Sequence, residues 1–368
     1  MPMSEDAQPT KPIQKILFGS PGTGKSYRVR EMAINSLGIQ WDESSKSLTN
    51  TIKTVFHPEY TYSDFVGKLL PQTTGSGSVI YKFYEGHFLR ALGLAYRQLL
   101  DGTNENVLLV IDELNRGNAA AIFGPVFQLL DREEDNWSTY EVHLSELEIV
   151  GLLKAMKYKA STSHDSIQVD GSNFEKFCEI EEKQLQLKNN AGGLRVLNNV
   201  REHKIAIPSN LSILATINTS YESIYYLDSA FKRRWDWEYV DVPGSEYSGD
   251  VPEKIKTAKL VVGETEVDWS DFVTNLNEFI KSNHQAIRRI EDKQIGWWFL
   301  KPEDSVISED AIKNKLMFYL WDSVLSKDRR PLESLLSNTS GEKVKLITYS
   351  QLVALAEEFV QGINEQKW

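Results

Sequence analysis

The chain has almost no cysteine and no excess of positive charge. Its one cysteine, Cys178, cannot form an internal disulfide, and no cysteine and histidine cluster has the spacing of a zinc site. Its 41 lysines and arginines stand against 52 aspartates and glutamates, a formal net charge of −11. Such a surface repels duplex DNA unless the basic residues are gathered locally. These shortages exclude a disulfide-stapled domain and argue against an autonomous DNA-binding domain.

Long apolar runs are missing as well. The longest strongly apolar stretches, such as residues 107–111, are far too short to cross a bilayer. The first six residues are polar and acidic instead of basic and then apolar. We therefore expect a cytoplasmic protein that is neither secreted nor membrane-spanning. With 41% hydrophobic and 25% charged residues, the chain of 368 residues has an ordinary globular composition and room for one large and one smaller domain.

Short apolar runs alternate with helical patterns in the first part of the chain. The apolar runs predict strands at residues 16–18, 51–56, 107–111, 211–217 and 237–240. The helical patterns predict helices at residues 27–37, 119–130 and 226–231. Strands that alternate with helices are typical of an α/β fold with a parallel sheet, here of five strands, which binds its ligands at the carboxyl edge.

The pattern changes after about residue 249. Helical segments at 271–289, 311–325 and 351–363 follow, without a further convincing run of buried strands. We expect a short N-terminal tail over 1–14, a large α/β domain over 15–248 and a small helical domain over 249–368. A polar stretch at about 135–199 interrupts the order of the strands, and we interpret it as an insertion.

A complete phosphate-loop motif follows the first predicted strand and precedes the first predicted helix. It comprises Gly19, Ser20, Pro21, Gly22, Thr23, Gly24, Lys25 and Ser26, with Tyr27 directly after it. The glycines allow backbone N–H groups to turn inward around phosphates, and Lys25 supplies a positive charge to the β and γ phosphates. The Ser26 hydroxyl is a candidate ligand for Mg²⁺. The motif predicts binding of a nucleoside triphosphate.

Two carboxylates, Asp112 and Glu113, follow the apolar run at 107–111. In a parallel sheet they would lie at the edge that carries the phosphate loop. Asp112 would hold Mg²⁺, and Glu113 would orient and deprotonate the water that attacks the γ-phosphate. The alternative is that the pair only caps the following helix, whose first turn favours negative charge.

Three further residues are candidates for the same chemistry. Asn218 ends the strand at 211–217, where its amide would contact the γ-phosphate or the attacking water, although a plain turn asparagine is an alternative. Arg233 and Arg234 follow Lys232 at the end of a short predicted helix, where cations also complement the helix dipole. Their role depends on their position relative to the other motifs.

The order of these motifs resembles that of AAA+ NTPases. More narrowly, the chain is similar to the McrB group, the NTP-driven motor subunits of methylation-dependent restriction systems. The stretches that carry this likeness are 56–66, 111–118, 207–211 with 217–219, and 227–235. The likeness covers about residues 15–242, with a weaker echo at 294–296.

The resemblance implies a hexameric ring of identical subunits with nucleotide held between neighbours, and Mg²⁺ at each site. Arg233 or Arg234 would then be the arginine finger that acts on the adjacent subunit's nucleotide. It also implies a McrC-like nuclease subunit as partner and GTP in preference to ATP. No guanine-reading motif of the small-GTPase type is present, and contact with DNA would be indirect or through another subunit.

The chain departs from the McrB group in two places. After Asn218 and Thr219 it has Ser-Tyr-Glu-Ser where the group has Ala-Asp-Arg-Ser. In the helical domain it has Gly296-Trp297-Trp298-Phe299 where the group has Gly-His-Ser-Tyr-Phe, and we interpret this as a buried aromatic pair. Two other functions remain open, an ATP-dependent MoxR-like chaperone and a nucleotide-gated scaffold that does not hydrolyse.

Overall fold

The computed structural model describes residues 11–75, 77–163, 166–219, 225–247 and 249–365. These residues divide into two compact units. The second unit holds Phe18–Lys25, Asn218 and Thr219, and the chain from Tyr239 onward, and the first unit holds the remainder. The tail expected over 1–14 lies mostly outside the described residues, and the domain boundary at residue 248 stays a prediction.

Strands and helices alternate through both units. The strands are β1 (Gln14–Gly19), β2 (Trp41–Asp42), β3 (Ser47–Leu48), β4 (Thr51–Val55), β5 (Gly67–Thr73), β6 (Val79–Glu85), β7 (Val107–Asp112), β8 (Val142–His143), β9 (Ala160–Ser163), β10 (Ser166–Val169), β11 (Ser172–Asn173), β12 (Lys204–Ile205), β13 (Leu211–Asn218), β14 (Asp236–Tyr239), β15 (Lys259–Val262), β16 (Thr265–Asp268) and β17 (Val306–Ile307). The α-helices are α1 (Lys25–Asn35), α2 (Tyr62–Phe65), α3 (His87–Asp101), α4 (Ala119–Phe123), α5 (Glu146–Ala155), α6 (Phe174–Leu187), α7 (Ala191–Arg201), α8 (Ser229–Lys232), α9 (Glu253–Lys256), α10 (Trp269–Ser282), α11 (Glu309–Ala311), α12 (Arg330–Ser340), α13 (Tyr349–Val353) and α14 (Ala356–Glu365).

A five-stranded parallel sheet forms the centre of the first unit and confirms the predicted fold class. Its strand order is β14–β1–β13–β7–β4. In the parallel register, Leu211 lies opposite Val107 and Thr51 lies opposite Leu108. Residues 107–111 are all buried, as a continuous apolar run without polar alternation requires when helices cover both faces of a sheet. The order places β13 between β1 and β7.

The segments between the central strands carry more structure than their polar composition indicates. The stretch at about 135–199 contains α5, α6 and α7 and the antiparallel sheet β11–β10–β9. Helix α5 begins with a capping box in which the Ser145 and Glu148 side chains bond to each other's backbone N–H. Helices α5 and α7 both pack against α3. The antiparallel hairpin β5–β6, between β4 and α3, was not predicted.

Two predicted helices of the first unit have different bounds in the structure. The helix expected at 119–130 ends at Phe123, and Gly124–Leu130 forms a 3₁₀ helix. Gly124 adopts φ +48°, and Pro125 has no N–H to continue the α-helical hydrogen bonds. The helix expected at 226–231 begins only at Ser229, because the Asp228 carboxylate accepts from the Phe231 N–H at 2.7 Å and fixes the N-cap.

The second unit is mainly helical beyond Tyr239. Its core is formed by apolar side chains of α10, α12 and α14 and of the π-helical turns Ile312–Met317 and Leu320–Val324. It also contains the sheet β16–β15–β17, which the sequence pattern did not indicate because its strands are only two to four residues long. None of the helices in the described part of the chain combines the length and the apolar character needed to cross a membrane.

One arginine, Arg132, joins several segments of the first unit. The Arg132 guanidinium donates to the carbonyls of Asn136, Pro208 and Leu211 at 2.8–3.1 Å, and to Oε1 of Gln14 at 3.1 Å. Desolvation lowers the pKa of Arg132 to about 10. The cation is retained because carbonyl oxygens satisfy its donors, so it ties β1 and β13 to the turn after the 3₁₀ helix.

We expect Arg132→Met to lower the free energy of unfolding by about 2 to 3 kcal/mol, because carbonyl groups in a partly buried site would lose their donors. The measurement is thermal or urea unfolding followed by circular dichroism. Arg195→Met is the matched control, since Arg195 pairs with Asp135 at an exposed position and surface pairs contribute little. An equal loss in both variants would contradict the role of Arg132.

Candidate functional site

The phosphate-loop motif lies between β1 and α1, the strand and helix that its chemistry requires. Gly22 and Gly24 adopt φ +80° and +90°, which only glycine adopts without strain. The Thr23 hydroxyl donates to the Ser20 carbonyl at 3.0 Å and closes the turn. The loop therefore has the backbone conformation that its sequence predicts.

Lys25 points back into this loop. It is buried, with 8% of its surface exposed, and its Nζ donates to the carbonyls of Gly19 and Ser20 at 2.8 Å. A buried ammonium needs such acceptors, and a bound phosphate is a stronger one. Ser26 and Tyr27, the next two residues of α1, are exposed.

A segment of the second unit, Gln294 to Phe299, packs directly on the loop and is here named the strap. The Gly296 N–H donates to the Pro21 carbonyl at 2.9 Å, and the Trp298 N–H donates to the Gly22 carbonyl at 2.8 Å. A Cβ atom on Gly296 would overlap the backbone of Gly22, and one on Gly22 would overlap the backbone N of Phe299. The two backbones approach this closely only because both positions are glycine.

The interpretation of the strap's two tryptophans, Trp297 and Trp298, as a buried pair is wrong for Trp298. Trp297 is buried and makes an edge contact with Tyr247, with ring centroids 6.0 Å apart. Trp298 is only half-buried, and its indole lies against Gly24: a Cβ on Gly24 would be 3.4 Å from its Cδ1. The pair is therefore divided between the core and the loop.

Asp112 ends β7 and Glu113 follows it, and both bond to one residue on β13. The Thr216 hydroxyl donates to Asp112 Oδ1 at 3.0 Å and accepts from the Glu113 N–H at 3.3 Å. The Asp112 carbonyl also accepts from the Phe56 N–H at 3.0 Å. These contacts fix the orientation of the Asp112 carboxylate. The sequence analysis missed Thr216, although it lies two residues before Asn218 and therefore on the same face of β13.

Glu113 has a backbone conformation that glutamate rarely adopts. Its φ and ψ are +55° and +43°, in the left-handed region, and it directly precedes the 3₁₀ turn Leu114–Arg116. Such strain costs about 1 to 3 kcal/mol and is concentrated at functional sites. Glu113 is the N-cap residue of that turn and forms no side-chain cap hydrogen bond, and its role stays a prediction.

Asn218 ends β13 as expected. Thr219, the next residue, donates its N–H to the Gly19 carbonyl at 3.4 Å, so the end of β13 pairs with the start of the loop. The Ser-Tyr-Glu-Ser departure at 220–223 lies outside the described residues.

The two candidate arginines differ in their surroundings. Arg234 donates through Nε and Nη2 to Asp131 Oδ2 at 2.9 and 2.6 Å, and its guanidinium lies 4.1 Å from the centroid of the Phe127 ring. Only 10% of its side chain is exposed. Arg233 is exposed, and its side chain makes no hydrogen bond within the described part of the chain. Arg234 is thus engaged inside the subunit, whereas Arg233 is available to another molecule.

We expect Glu113→Gly to raise the free energy of unfolding by up to about 1 kcal/mol, because glycine adopts a positive φ without strain. The measurement is the thermal midpoint against the unchanged protein. Lys157→Gly, at an exposed position with φ +71°, calibrates the gain from relieving the same backbone conformation. A lower thermal midpoint for Glu113→Gly would contradict this expectation, because it would show that the glutamate side chain stabilises the fold by more than the backbone strain destabilises it.

Comparisons with known proteins identify relatives in restriction systems. No family model matches the chain. The chain is 28% identical over 356 residues to YdiS, a component of the type II restriction enzyme BsuMI of Bacillus subtilis strain 168, over 91% of this chain and 85% of that protein. It is 30% identical over 128 residues to a subunit of the type IV methyl-directed restriction enzyme EcoKMcrB of Escherichia coli strain K12, over 33% of this chain and 24% of that protein.

Among solved structures, NtrX of Brucella abortus superposes with a TM-score of 0.27 at 11% identity, over 92% of this chain and 49% of that chain, an overlap too low to carry an argument. The sequence relatives carry more weight, because one alignment spans nearly the whole chain and the other reaches the McrB subunit. The chain is thus similar over most of its length to a component of one restriction enzyme, and over a third of its length to the McrB subunit of another, which agrees with the likeness to the McrB group expected from its motifs.

Proposed function

We propose that the protein is a nucleoside triphosphatase that powers a restriction system, with GTP as the favoured nucleotide. The observation that carries the proposal is the strand order, in which β13 lies between β1 and β7. The phosphate loop, Asn218 and the carboxylate pair thus lie at the carboxyl ends of three adjacent strands. The carboxyl edge of a parallel sheet is where such folds bind nucleotides.

Each candidate residue of the site has a specific role in the proposed hydrolysis. Backbone N–H groups of the loop and the Lys25 ammonium hold the phosphates. Glu113 orients the attacking water and accepts its proton, and Asn218 holds the same water or the γ-phosphate. Little covalent chemistry is needed, because phosphoryl transfer is catalysed by positioning and charge.

The donors present suit Mg²⁺. The ion prefers oxygen ligands and is commonly held by one or two carboxylates, together with the phosphates of the substrate. Ser26 offers a hydroxyl at the first turn of α1, and Asp112 offers a carboxylate whose orientation Thr216 fixes. When bound, the ion neutralises charge on the β and γ phosphates.

Arg233 is the candidate that acts between subunits. A guanidinium that stabilises the transition state in a neighbour must be exposed and must not be bound within its own subunit. Arg233 is exposed, and its side chain forms no hydrogen bond with the residues that the structure describes. The Asp131 pair and the Phe127 contact give Arg234 a structural task. We infer a homo-hexameric ring in which Arg233 of one subunit completes the site of the next.

The relatives support a place within a larger assembly. One is a component and the other a subunit of a restriction enzyme. We propose that a McrC-like nuclease subunit cleaves the DNA and that this chain supplies the motor in the cytoplasm.

We expect phosphate release by the purified chain with GTP to exceed that with ATP, and Glu113→Gln to lower the rate by roughly 100-fold or more, since the substitution removes a general base. Nucleotide binding by Glu113→Gln should persist, whereas Lys25→Ala should abolish it. Selective turnover of ATP would favour the chaperone alternative, and binding without turnover would favour the scaffold.

Mixing variants tests the arginine between subunits. Arg233→Ala and Lys25→Ala should each be nearly inactive alone, and a mixture should recover turnover, because an intact loop then meets an intact neighbouring arginine. A mixture of Glu113→Gln with Lys25→Ala is the control that should stay inactive, since loop and glutamate serve the same site. Absence of recovery in the first mixture would remove Arg233 from the neighbouring site.

A further inference from the structure

The strap carries a side-chain donor that lies at the phosphate loop. A Cβ atom on Gly24 would be 3.4 Å from Cδ1 and 3.7 Å from Nε1 of Trp298, so the edge of the indole that carries the N–H lies nearest to Gly24. This is two residues beyond Gly22, whose carbonyl accepts from the backbone N–H of Trp298. Within the residues that the structure describes, no acceptor bonds to this indole N–H. An indole N–H only donates, and a donor shielded from water usually has an acceptor.

The strap is held in place by buried side chains of α10, so the Trp298 ring is positioned before a ligand binds. The Asn277 amide donates to the Ile295 carbonyl at 2.8 Å, and its Oδ1 accepts from the Ile295 N–H at 2.9 Å. The Trp269 indole donates to the Trp297 carbonyl at 3.0 Å. The Asn277 and Trp269 side chains are both fully buried. A group that is already held in its bound position loses little conformational entropy on binding.

The loop next to this donor has a conformation and a charge that suit phosphate oxygens. Gly24 directly precedes Lys25, whose buried ammonium donates to carbonyls of the loop. Backbone N–H groups that turn inward around an anion supply further donors. A hydrogen bond to an ionised oxygen is roughly twice as strong as one between neutral groups. A phosphate at the loop therefore offers the Trp298 indole an acceptor that the described residues do not supply.

We propose that Trp298 is a substrate-binding residue whose indole N–H donates to a phosphate oxygen of the bound nucleotide. The inference rests on the proposed function, since it requires a nucleoside triphosphate at the loop. It assigns Trp298 to the phosphates instead of the nucleobase, because the N–H edge of the ring lies nearest to the loop. The contribution of Trp298 to binding is therefore the same for GTP and for ATP.

The test compares Trp298→Phe with the unchanged protein, since phenylalanine keeps an apolar ring and lacks the N–H. Calorimetric titration in the presence of Mg²⁺ gives the dissociation constants of GTP, ATP and inorganic tripolyphosphate. We expect all three probes to bind about tenfold more weakly to Trp298→Phe, because a hydrogen bond to a charged acceptor is lost. Trp298→His restores a ring N–H and should recover part of the affinity for each probe.

Trp321→Phe is the matched control. Trp321 is also a half-buried tryptophan of the second unit, and its ring contacts Tyr349 and the Arg329 guanidinium instead of the loop. The substitution should leave all three dissociation constants unchanged. Thermal midpoints measured for every variant establish that the titrated proteins are folded.

Three results would overturn the role of Trp298 while leaving the proposed function intact. The first is an unchanged affinity of Trp298→Phe for the three probes, and the second is an equal loss in Trp321→Phe. The third is weaker binding of GTP and ATP with unchanged binding of tripolyphosphate, which would show that the ring contacts the nucleobase. If the unchanged protein bound none of the probes, the proposed function would fail together with this inference.

Discussion

The close approach of two backbones at Gly22 and Gly296 is the constraint on which the proposed nucleotide site depends. Two N–H groups of the strap donate hydrogen bonds to the carbonyls of Pro21 and Gly22. Because the peptide unit is planar and trans, a carbonyl turned toward the strap turns the N–H of the following residue the other way. The strap thereby turns the N–H groups of Gly22 and Thr23 away from itself, as the proposed binding of phosphates requires. The loop has few side chains to fix its shape, and the two hydrogen bonds from the strap help to fix it.

The same principle acts at the carboxylate pair, where orientation comes from a neighbouring strand. Thr216 holds Asp112 and the backbone of Glu113, and Glu113 keeps a conformation that the surrounding fold must stabilise. The backbone strain at Glu113 and the rigidity of its surroundings would both contribute to preorganisation. A group that is already held in place need not be reorganised during the reaction. The sheet provides that rigidity through its continuous buried strands.

Local patterns in the sequence predicted the sheet and the loop well, because both are encoded within a few neighbouring residues. Residues 107–111 have no polar member, and the loop motif is contiguous. The end of α4 was also encoded, in the Gly124-Pro125 pair, but the apolar periodicity concealed it. The strap contact had no local signal, since backbone atoms far apart in the chain make it. Composition likewise could not separate Arg233 from Arg234, because only the position of Asp131 and Phe127 distinguishes them.

The glycine contact also has an evolutionary consequence. Gly22 and Gly296 are distant in the chain, yet each requires that the other lack a side chain. A methyl group gained at one position cannot be offset by a loss at the other, because nothing smaller than glycine exists. We therefore expect both positions to be glycine whenever this contact is present. A side chain at either position would require a different backbone conformation in both the loop and the strap.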